Sequence, residues 1–132
     1  MPAHVQPIEV RFRDIDALDH VNHAVVLTYC ETVRCDWFAQ ATGTPSMAAL
    51  PFILAAAKVE YRAPIRKEDP IEVAMSTVRI GTKSWTFRYE VRHRASKAVF
   101  AEVETVQVAY DYARRASTEV PAPLRRLLES LA

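Results

Sequence analysis

Glycine is scarce in this sequence, since only Gly43 and Gly81 occur among 132 residues. No G-x-S-x-G motif is present, which excludes a serine hydrolase built on a nucleophile elbow. The eight prolines are scattered and too few for a disordered or low-complexity chain. We expect a single folded domain over residues 1–132, large enough to bury about two-thirds of its unfolded surface.

An excess of either charge and a long apolar run are also missing. The 17 basic and 16 acidic residues leave a net charge of +1, so a nucleic-acid partner is not expected. No apolar run approaches the roughly 20 residues of a membrane span, and residues 1–6 do not form a secretory signal. Cys30 and Cys35 are five positions apart and point to different helix faces, which predicts reduced thiols near the core and a cytoplasmic protein.

The first half of the chain shows two hydrophobic periodicities. Ile8, Val10 and Phe12 alternate with charged residues, which predicts a half-buried strand. Apolar residues then recur at helical spacing and predict a long helix over residues 24–41. Because much of the girth of this helix is apolar, we expect a sheet to wrap around it.

Four further strands are predicted in succession. They cover residues 52–62, 71–80, 84–94 and 98–110. The first is continuously apolar up to residue 57, so its start is expected to be buried on both faces. In the last, the apolar residues change from odd-numbered to even-numbered positions near Thr105, which predicts a bulge or burial of both faces. Short turns indicate an antiparallel sheet, and a short amphipathic helix follows Pro121, so the fold class is α+β.

Acidic and imidazole side chains are concentrated just before the long helix. Asp14, Asp16, Asp19, His20 and His23 lie within ten residues. A carboxylate in such a place can activate water or attack a carbonyl, and the free N–H groups of a helix N-terminus can receive an oxyanion. We interpret Asp14 as a solvent-facing or hydrogen-bonding loop residue.

This concentration of ligand-type side chains does not predict a metal site. Asp19 occupies the place of the glycine in a calcium loop, and Val25 stands where its glutamate would be. The H-x-x-H spacing of His20 and His23 is not that of a zinc-binding helix. A dyad of Cys30 and His23 would span about two helical turns, roughly 10 Å, which is too far for proton transfer.

Residues 16–34 resemble the first motif of the hotdog-fold acyl-CoA thioesterases of the 4-hydroxybenzoyl-CoA thioesterase type, D-x-x-G-H-V-N-N/H-A-x-Y-L-x-Y-x-E-x-x-R. The matching residues are Asp16, His20, Val21, Asn22, His23, Ala24, Leu27, Tyr29, Glu31 and Arg34. Residues 61–64 resemble the Y-R-x-P of the same family, and residues 81–84 its G-x-x-S turn. The chain departs from the motif at Asp19, where the family usually has glycine, and at Val26, where it often has tyrosine.

The resemblance implies a hotdog fold, with a five-stranded antiparallel sheet around one long central helix. It implies that Asp16 is the catalytic carboxylate, acting as a nucleophile or as a general base. His23 would position water, protonate the leaving thiolate or polarise the carbonyl through its N–H. The supporting residues implied are His20, Asn22 and Glu31. The residues expected to contact the pantetheine arm and nucleotide of coenzyme A are Arg62, Lys83, Ser84 and Arg88.

The function implied is hydrolysis of a fatty or aromatic acyl-CoA to the free acid and coenzyme A, without a metal or an organic cofactor. Two alternatives stay open, namely a hotdog module that binds an acyl ligand without turnover and a thioesterase that acts on acyl carrier protein. The family also implies a homodimer, or a homotetramer made of two dimers, in which both chains build each active site.

Overall fold

The computed structural model describes residues 3–43 and 51–132. Its elements in chain order are β1 (His4–Ile8), a 3₁₀ turn (Phe12–Asp14), α1 (His23–Thr42), β2 (Phe52–Tyr61), β3 (Ile71–Ile80), β4 (Ser84–His93), β5 (Val99–Asp111), β6 (Ala116–Ser117) and α2 (Ala122–Glu129). The strands form one antiparallel sheet in the order β1-β3-β4-β5-β2, with the two-residue β6 attached to β5. The predicted α+β architecture, five main strands with one long central helix and a short C-terminal helix, is confirmed. Within the described residues, no helix is both long enough and apolar enough to cross a membrane.

Helix α1 starts and ends at local signals in the sequence. Asn22 is the N-cap, and its Oδ1 accepts a hydrogen bond of 2.9 Å from the N–H of Ala24. Gly43 ends the helix with a φ of +69°, in the left-handed region that favours glycine. Aromatic rings of α1 and the sheet form a series of edge-on contacts through the core. This series is Trp37, Phe38, Phe52, Trp85, Phe87 and Tyr89. Packing against the sheet therefore fixes the helix.

The two cysteines lie in this core as free thiols, as predicted. Burial raises the pKa of Cys30 to about 12, and burial also raises the pKa of Cys35. Both side chains are therefore neutral at physiological pH, and neither has the properties of a nucleophile.

The first strand is displaced from its predicted position. It covers His4–Ile8 rather than the alternating residues Ile8 to Phe12. The chain turns at this point because the N–H of Asp14 bonds the carbonyl of Arg11 at 3.0 Å, and the carboxylate of Asp14 accepts the N–H of Arg11 at 2.9 Å. A side chain that bonds the nearby backbone competes with strand pairing, and here it produces the 3₁₀ turn.

The predicted burial of both faces at the start of the second strand is wrong for the single chain. Phe52 is buried, but the next six residues of β2 are exposed. The reason is topological, since β2 is an edge strand that pairs only with β5, and α1 packs over the middle of the sheet.

The change of apolar parity in β5 has a cause other than a bulge at Thr105. Ala101, Val103, Thr105 and Gln107 all face the core, so the buried side of the strand continues without interruption. Thr105 and Gln107 are polar because they belong to a buried hydrogen-bond network with the hydroxyl of Tyr89. The register of β5 against β4 shifts between Val91 and Arg92, at a distance from Thr105. The register of β2 against β5 shifts opposite Val106 and Gln107, but the extra residue there, Ala55, is on β2.

Candidate active site

The segment between the 3₁₀ turn and α1 is a loop that closes on itself. The N–H of Asn22 donates to the carbonyl of Asp14 at 2.8 Å, and Ile15 and Val21 form an antiparallel bridge. The N–H of Val21 also donates to the carbonyl of Ile65 at 2.8 Å, which attaches the loop to the chain leaving β2. The loop is therefore held at its base and fastened to the sheet.

Asp16 lies within this loop, and its carboxylate is oriented by the loop itself. The N–H of Asp16 donates to the carbonyl of His20 at 2.9 Å, and Oδ1 of Asp16 accepts the N–H of Leu18 at 2.9 Å. Among residues 3–43 and 51–132, no group donates a hydrogen bond to Oδ2. One oxygen is thus fixed by the backbone and the other is available for chemistry.

Asp19 turns the loop with a φ of +65°, in the left-handed region. That conformation explains the glycine usual at this place in the motif, because glycine adopts it without strain. Aspartate is one of the few other residues that adopt it at modest cost. The substitution seen in this sequence is therefore compatible with the turn.

The N-terminus of α1 lies beside Asp16 and carries a free amide. The N–H of Ala24 is bonded to the side chain of Asn22, and the N–H of Val25 donates to the carbonyl of Asn22 at 2.9 Å. The N–H of His23, by contrast, has no acceptor in the described part of the chain. An unpaired amide in the first turn of a helix is a ready donor to an oxyanion.

Asp16 and His23 line the same cavity, which has a volume of about 380 Å³. Its polar lining consists of Asp16, His20, His23, Tyr61 and Arg62. Its apolar lining consists of Val21, Ala63, Pro64, Ile65, Phe100 and Ala101. A carboxylate, two imidazoles and a helix N-terminus therefore meet at one end of the sheet, beside an apolar wall.

Tyr61, the last residue of β2, contacts the start of α1 in this cavity. Its hydroxyl donates to the carbonyl of His23 at 2.8 Å, and its ring stands edge-on to the imidazole with centroids 6.3 Å apart. Tyr61 was part of the Y-R-x-P resemblance but received no predicted role. Tyr61 is two residues after Val59 and therefore faces the same side of β2, and Val59 pairs with the buried Val103. This spacing is the sequence signal that places Tyr61 on the helix side of the sheet.

Asp14 is buried rather than solvent-facing, with a side chain only 2% exposed. Burial by itself would raise the pKa of Asp14, but hydrogen bonds from the N–H of Arg11 and the hydroxyl of Tyr29 outweigh burial and hold this pKa below its ordinary value. Burial and the same carboxylate together raise the pKa of Tyr29. Asp14 is thus a buried anion that supports the loop from within, and it does not line the cavity.

Two of the basic residues expected to contact coenzyme A are engaged with an acid. Arg62 and Arg88 both bind the carboxylate of Glu102 on the outer face of the sheet. Hydrogen bonds from these two guanidinium groups lower the pKa of Glu102. Of the pair, only Arg62 also lines the cavity of Asp16.

Lys83 and Ser84 lie at the other end of the sheet. The carbonyl of Lys83 accepts the N–H of Ala109, and Ala109 pairs with Phe52, the first residue of β2. The cavity lies at Tyr61, the last residue of the same strand. Since a strand rises about 3.3 Å per residue, roughly 30 Å of β2 separates the two ends.

Glu31, which the resemblance implies as a supporting residue, lies away from this cavity. Its side chain is exposed on α1 and does not line the cavity. In the portion of the chain that the structure describes, no three His, Cys, Asp or Glu side chains are grouped so that they could hold a metal ion.

Comparison with known proteins identifies the family. The sequence matches the thioesterase-like superfamily over residues 10–128. No curated protein matches the chain. Among solved structures, a thioesterase from Thermus thermophilus complexed with coenzyme A and Zn is 29% identical, with a TM-score of 0.86 over 98% of this chain and 93% of that one.

Two more distant structures share the fold. A predicted thioesterase from Bacillus stearothermophilus has a TM-score of 0.90 at 21% identity, over 98% of this chain and 96% of that one. A 1,4-dihydroxy-2-naphthoyl-CoA thioesterase from Synechocystis has a TM-score of 0.86 at 18% identity, over 98% and 97%. The fold is the hotdog fold, and thioester hydrolysis is the general reaction that the family and the fold support. The chain belongs to the thioesterase-like superfamily.

Proposed function

We propose that this protein hydrolyses acyl-CoA thioesters, with Asp16 as the catalytic carboxylate and the N–H of His23 as the donor to the thioester oxygen. One observation carries the proposal. The free Oδ2 of Asp16 and the unpaired amide of His23 belong to residues that line one cavity with an apolar wall. A thioester needs little more, because its carbonyl is reactive and a thiolate leaves readily.

The groups present support two balanced routes. In the first, Oδ2 of Asp16 removes a proton from water while the water oxygen bonds the carbonyl carbon. The tetrahedral oxyanion is held by the N–H of His23, then re-forms the carbonyl as the C–S bond breaks, and the thiolate takes up the proton that Asp16 removed from water. In the second, Oδ2 itself bonds the carbonyl carbon and expels the thiolate, which leaves a mixed anhydride that water hydrolyses. The side chain of His23 is available in either route to orient water or to protonate the thiolate.

The cavity lining favours an apolar acyl group. Val21, Ile65 and Phe100 form part of its wall, and the ring of Tyr61 adds an aromatic face. Arg62 at the rim carries the charge that a phosphate of coenzyme A requires, once it exchanges Glu102 for the ligand. A fatty or an aromatic acyl-CoA fits this lining.

The two edges of the sheet differ in a way that supports a homodimer through β2. β1 has five residues and includes Pro7, a residue that protects an edge against pairing. β2 has ten residues, no proline, and an exposed apolar run that includes Ile53 and Leu54. A long unprotected apolar edge is a template for a second copy of the chain.

Antiparallel pairing of two β2 strands would also complete the site. It places the Phe52 end of one chain beside the Tyr61 end of the other. Lys83 and Ser84, about 30 Å from the cavity of their own chain, would then lie near the cavity of the partner. This arrangement gives Lys83 and Ser84 a role that they cannot have within one chain, and a dimer of dimers would leave it unchanged.

Thiol release from a panel of fatty and aromatic acyl-CoA substrates, followed with a thiol-reactive dye, tests the proposal. Asp16→Asn should lower kcat by on the order of 10²-fold or more, the usual scale for removing a catalytic base. Asp111→Asn is the matched control, since Oδ1 of Asp111 also accepts the backbone N–H two residues ahead, at 3.0 Å, in a separate loop. This variant should keep wild-type kcat.

Three outcomes would contradict the proposal. Near-normal turnover by a folded Asp16→Asn variant would place the chemistry elsewhere. Acyl-CoA binding without thiol release would indicate a ligand-binding module. Cleavage of acyl groups on acyl carrier protein, but not on coenzyme A, would assign the other carrier as the substrate.

A further inference from the structure

We infer that Asp14 and Tyr29 are positioning residues that hold the loop of Asp16 against helix α1. The inference rests on the proposed function, because it concerns the placement of the proposed catalytic carboxylate. Neither residue lines the cavity, so each would act through Asp16 and not on the substrate.

The carboxylate of Asp14 is the centre of the arrangement. Oδ2 accepts the hydroxyl of Tyr29 at 2.7 Å and the N–H of Arg11 at 2.9 Å. Oδ1 accepts the guanidinium of Arg11 at 3.1 Å. The hydroxyl of Tyr29 is the donor that comes from the buried interior, whereas the side chain of Arg11 is more than half exposed. A buried anion keeps its donors, because losing one leaves a desolvated charge without compensation.

The backbone of Asp14 fixes the base of the same loop. Its carbonyl accepts the N–H of Asn22, the residue that caps α1, at 2.8 Å. This bond and the bond from Val21 to Ile65 hold the loop at the start of the helix and to the sheet, but neither attaches it further along α1. Tyr29 supplies a second attachment, six residues further along α1 than His23 and therefore about 9 Å from it along the axis. Two separated attachments to one helix define the direction in which the loop extends.

Asp16 lies two residues from Asp14, directly after the Ile15–Val21 bridge. A tilt of the loop would move the carboxylate of Asp16 relative to the N–H of His23. Displacement of a reacting group by about 1 Å can cost on the order of 10²-fold in rate. The bond from Tyr29 to Asp14 therefore sets the geometry of catalysis in addition to contributing to stability.

Tyr29→Phe tests this inference, because it removes one hydroxyl and keeps the ring. Tyr89→Phe is the matched control, since both side chains are almost fully buried, at 4% and 0% exposure. The hydroxyl of Tyr89 bonds Thr105 and Arg34 in the core, away from the cavity. Steady-state kcat and KM on the best acyl-CoA substrate, and the free energy of unfolding in urea, are measured for both variants.

Both variants should lose stability to a similar degree. Only Tyr29→Phe should lower kcat, by roughly tenfold or more, with KM changed less than about threefold. Asp14→Asn should lower kcat further, because the new amide group faces donors and cannot accept from all of them. Wild-type kcat in Tyr29→Phe, or an equal loss of kcat in Tyr89→Phe, would overturn the inference.

Wild type and Asp16→Asn, run in the same assay, separate this inference from the proposed function. If wild type is active and Asp16→Asn is not, a normal Tyr29→Phe refutes the positioning role alone. If wild type releases no thiol from any acyl-CoA or acyl carrier protein, the proposed function is refuted and the positioning role with it.

Discussion

Tyr61 donates a hydrogen bond of 2.8 Å to the main-chain carbonyl of His23, and so joins the end of β2 to the first residue of α1. Both residues line the cavity, and the amide of His23 has no acceptor among residues 3–43 and 51–132. Because Tyr61 is half exposed, this bond contributes more to the local geometry of the site than to the core.

Tyr61→Phe should therefore lower kcat/KM with little change in stability. Loss of a hydrogen bond worth about 1 kcal/mol corresponds to roughly fivefold in rate if the whole effect falls on the transition state. Tyr61→Leu removes the ring as well and should lose more if the edge-on contact with His23 also contributes. Steady-state kinetics and urea unfolding check both variants, and equal activity of wild type and Tyr61→Leu would show that the contact has no catalytic role.

His23→Ala should reduce turnover less than Asp16→Asn does. The substitution removes the imidazole but keeps the backbone N–H, which the proposed mechanism uses to hold the oxyanion. Alanine is also a good residue for the first turn of a helix, so α1 should stay intact. Measured kcat decides the question, since a His23→Ala variant that is folded and as inactive as Asp16→Asn would make the imidazole a full catalytic partner.

The left-handed conformation of Asp19 predicts the outcome of two substitutions. Asp19→Gly should keep or slightly raise stability and should keep activity, because glycine adopts a φ of +65° without strain. Asp19→Val should lower the free energy of unfolding by about 1–2 kcal/mol, the cost of a branched side chain in this region. Urea denaturation with parallel assays of thiol release measures both effects, and an Asp19→Val variant as stable as wild type would contradict the assigned backbone.

The sequence predicted those elements whose signals are local. Helix α1 was located to within one residue at each end because Asn22 and Gly43 mark its limits. Strands β2 to β5 were also located to within one residue at each end, because turn signals separate their apolar segments. The first strand was misplaced because the apolar alternation continues through Val10 and Phe12, beyond the last strand residue Ile8 and into the 3₁₀ turn.

The candidate site was predictable only in part. The family motif identified Asp16 and His23, and the structure brings both to one cavity. The burial of Asp14 could not be predicted from the sequence, because its partner Tyr29 is fifteen positions away on another element. Exposure of the first half of β2 was missed for a related reason, since an apolar run does not reveal whether a helix or a second chain covers it.

Acid should destabilise the protein through Glu72 and Asp14. Burial would raise the pKa of Glu72, but hydrogen bonds from Lys97 and Arg92 hold this pKa below its ordinary value of 4.5, and the pKa of Asp14 is also lowered from 3.8. When the folded pKa lies below the unfolded one, the stabilisation is complete above the unfolded pKa and is lost as the pH falls through the folded pKa. The free energy of unfolding should therefore be level above about pH 5 and decline below it.

Glu72→Gln separates this effect from general acid unfolding. The variant should be less stable than wild type at neutral pH, and its stability should decline less steeply below about pH 5, because one of the two linked protons is absent. Urea denaturation at a series of pH values, from about pH 3 to about pH 7, gives both slopes. An unchanged acid slope in Glu72→Gln would show that its ion pairs with Arg92 and Lys97 do not contribute.

The two sheet edges offer a direct test of the proposed dimer. Leu54 on β2 and Val5 on β1 are exposed to a similar degree in the single chain, at 49% and 44%. Leu54→Lys puts a charge on the edge that we propose to pair, and an unpaired charge at a buried interface is strongly unfavourable. This variant should elute as a monomer near 14.9 kDa and should lose thioesterase activity, because the site would lack Lys83 and Ser84 of a second copy.

Val5→Lys makes the same chemical change on the edge that Pro7 protects. It should keep twice the monomer mass, or a multiple of that, and wild-type activity. Light scattering coupled to gel filtration at low micromolar concentration measures the mass of both variants and of wild type. A dimer that Leu54→Lys leaves intact but Val5→Lys disrupts would assign the interface to β1, and an active wild-type monomer would show that one chain holds a complete site.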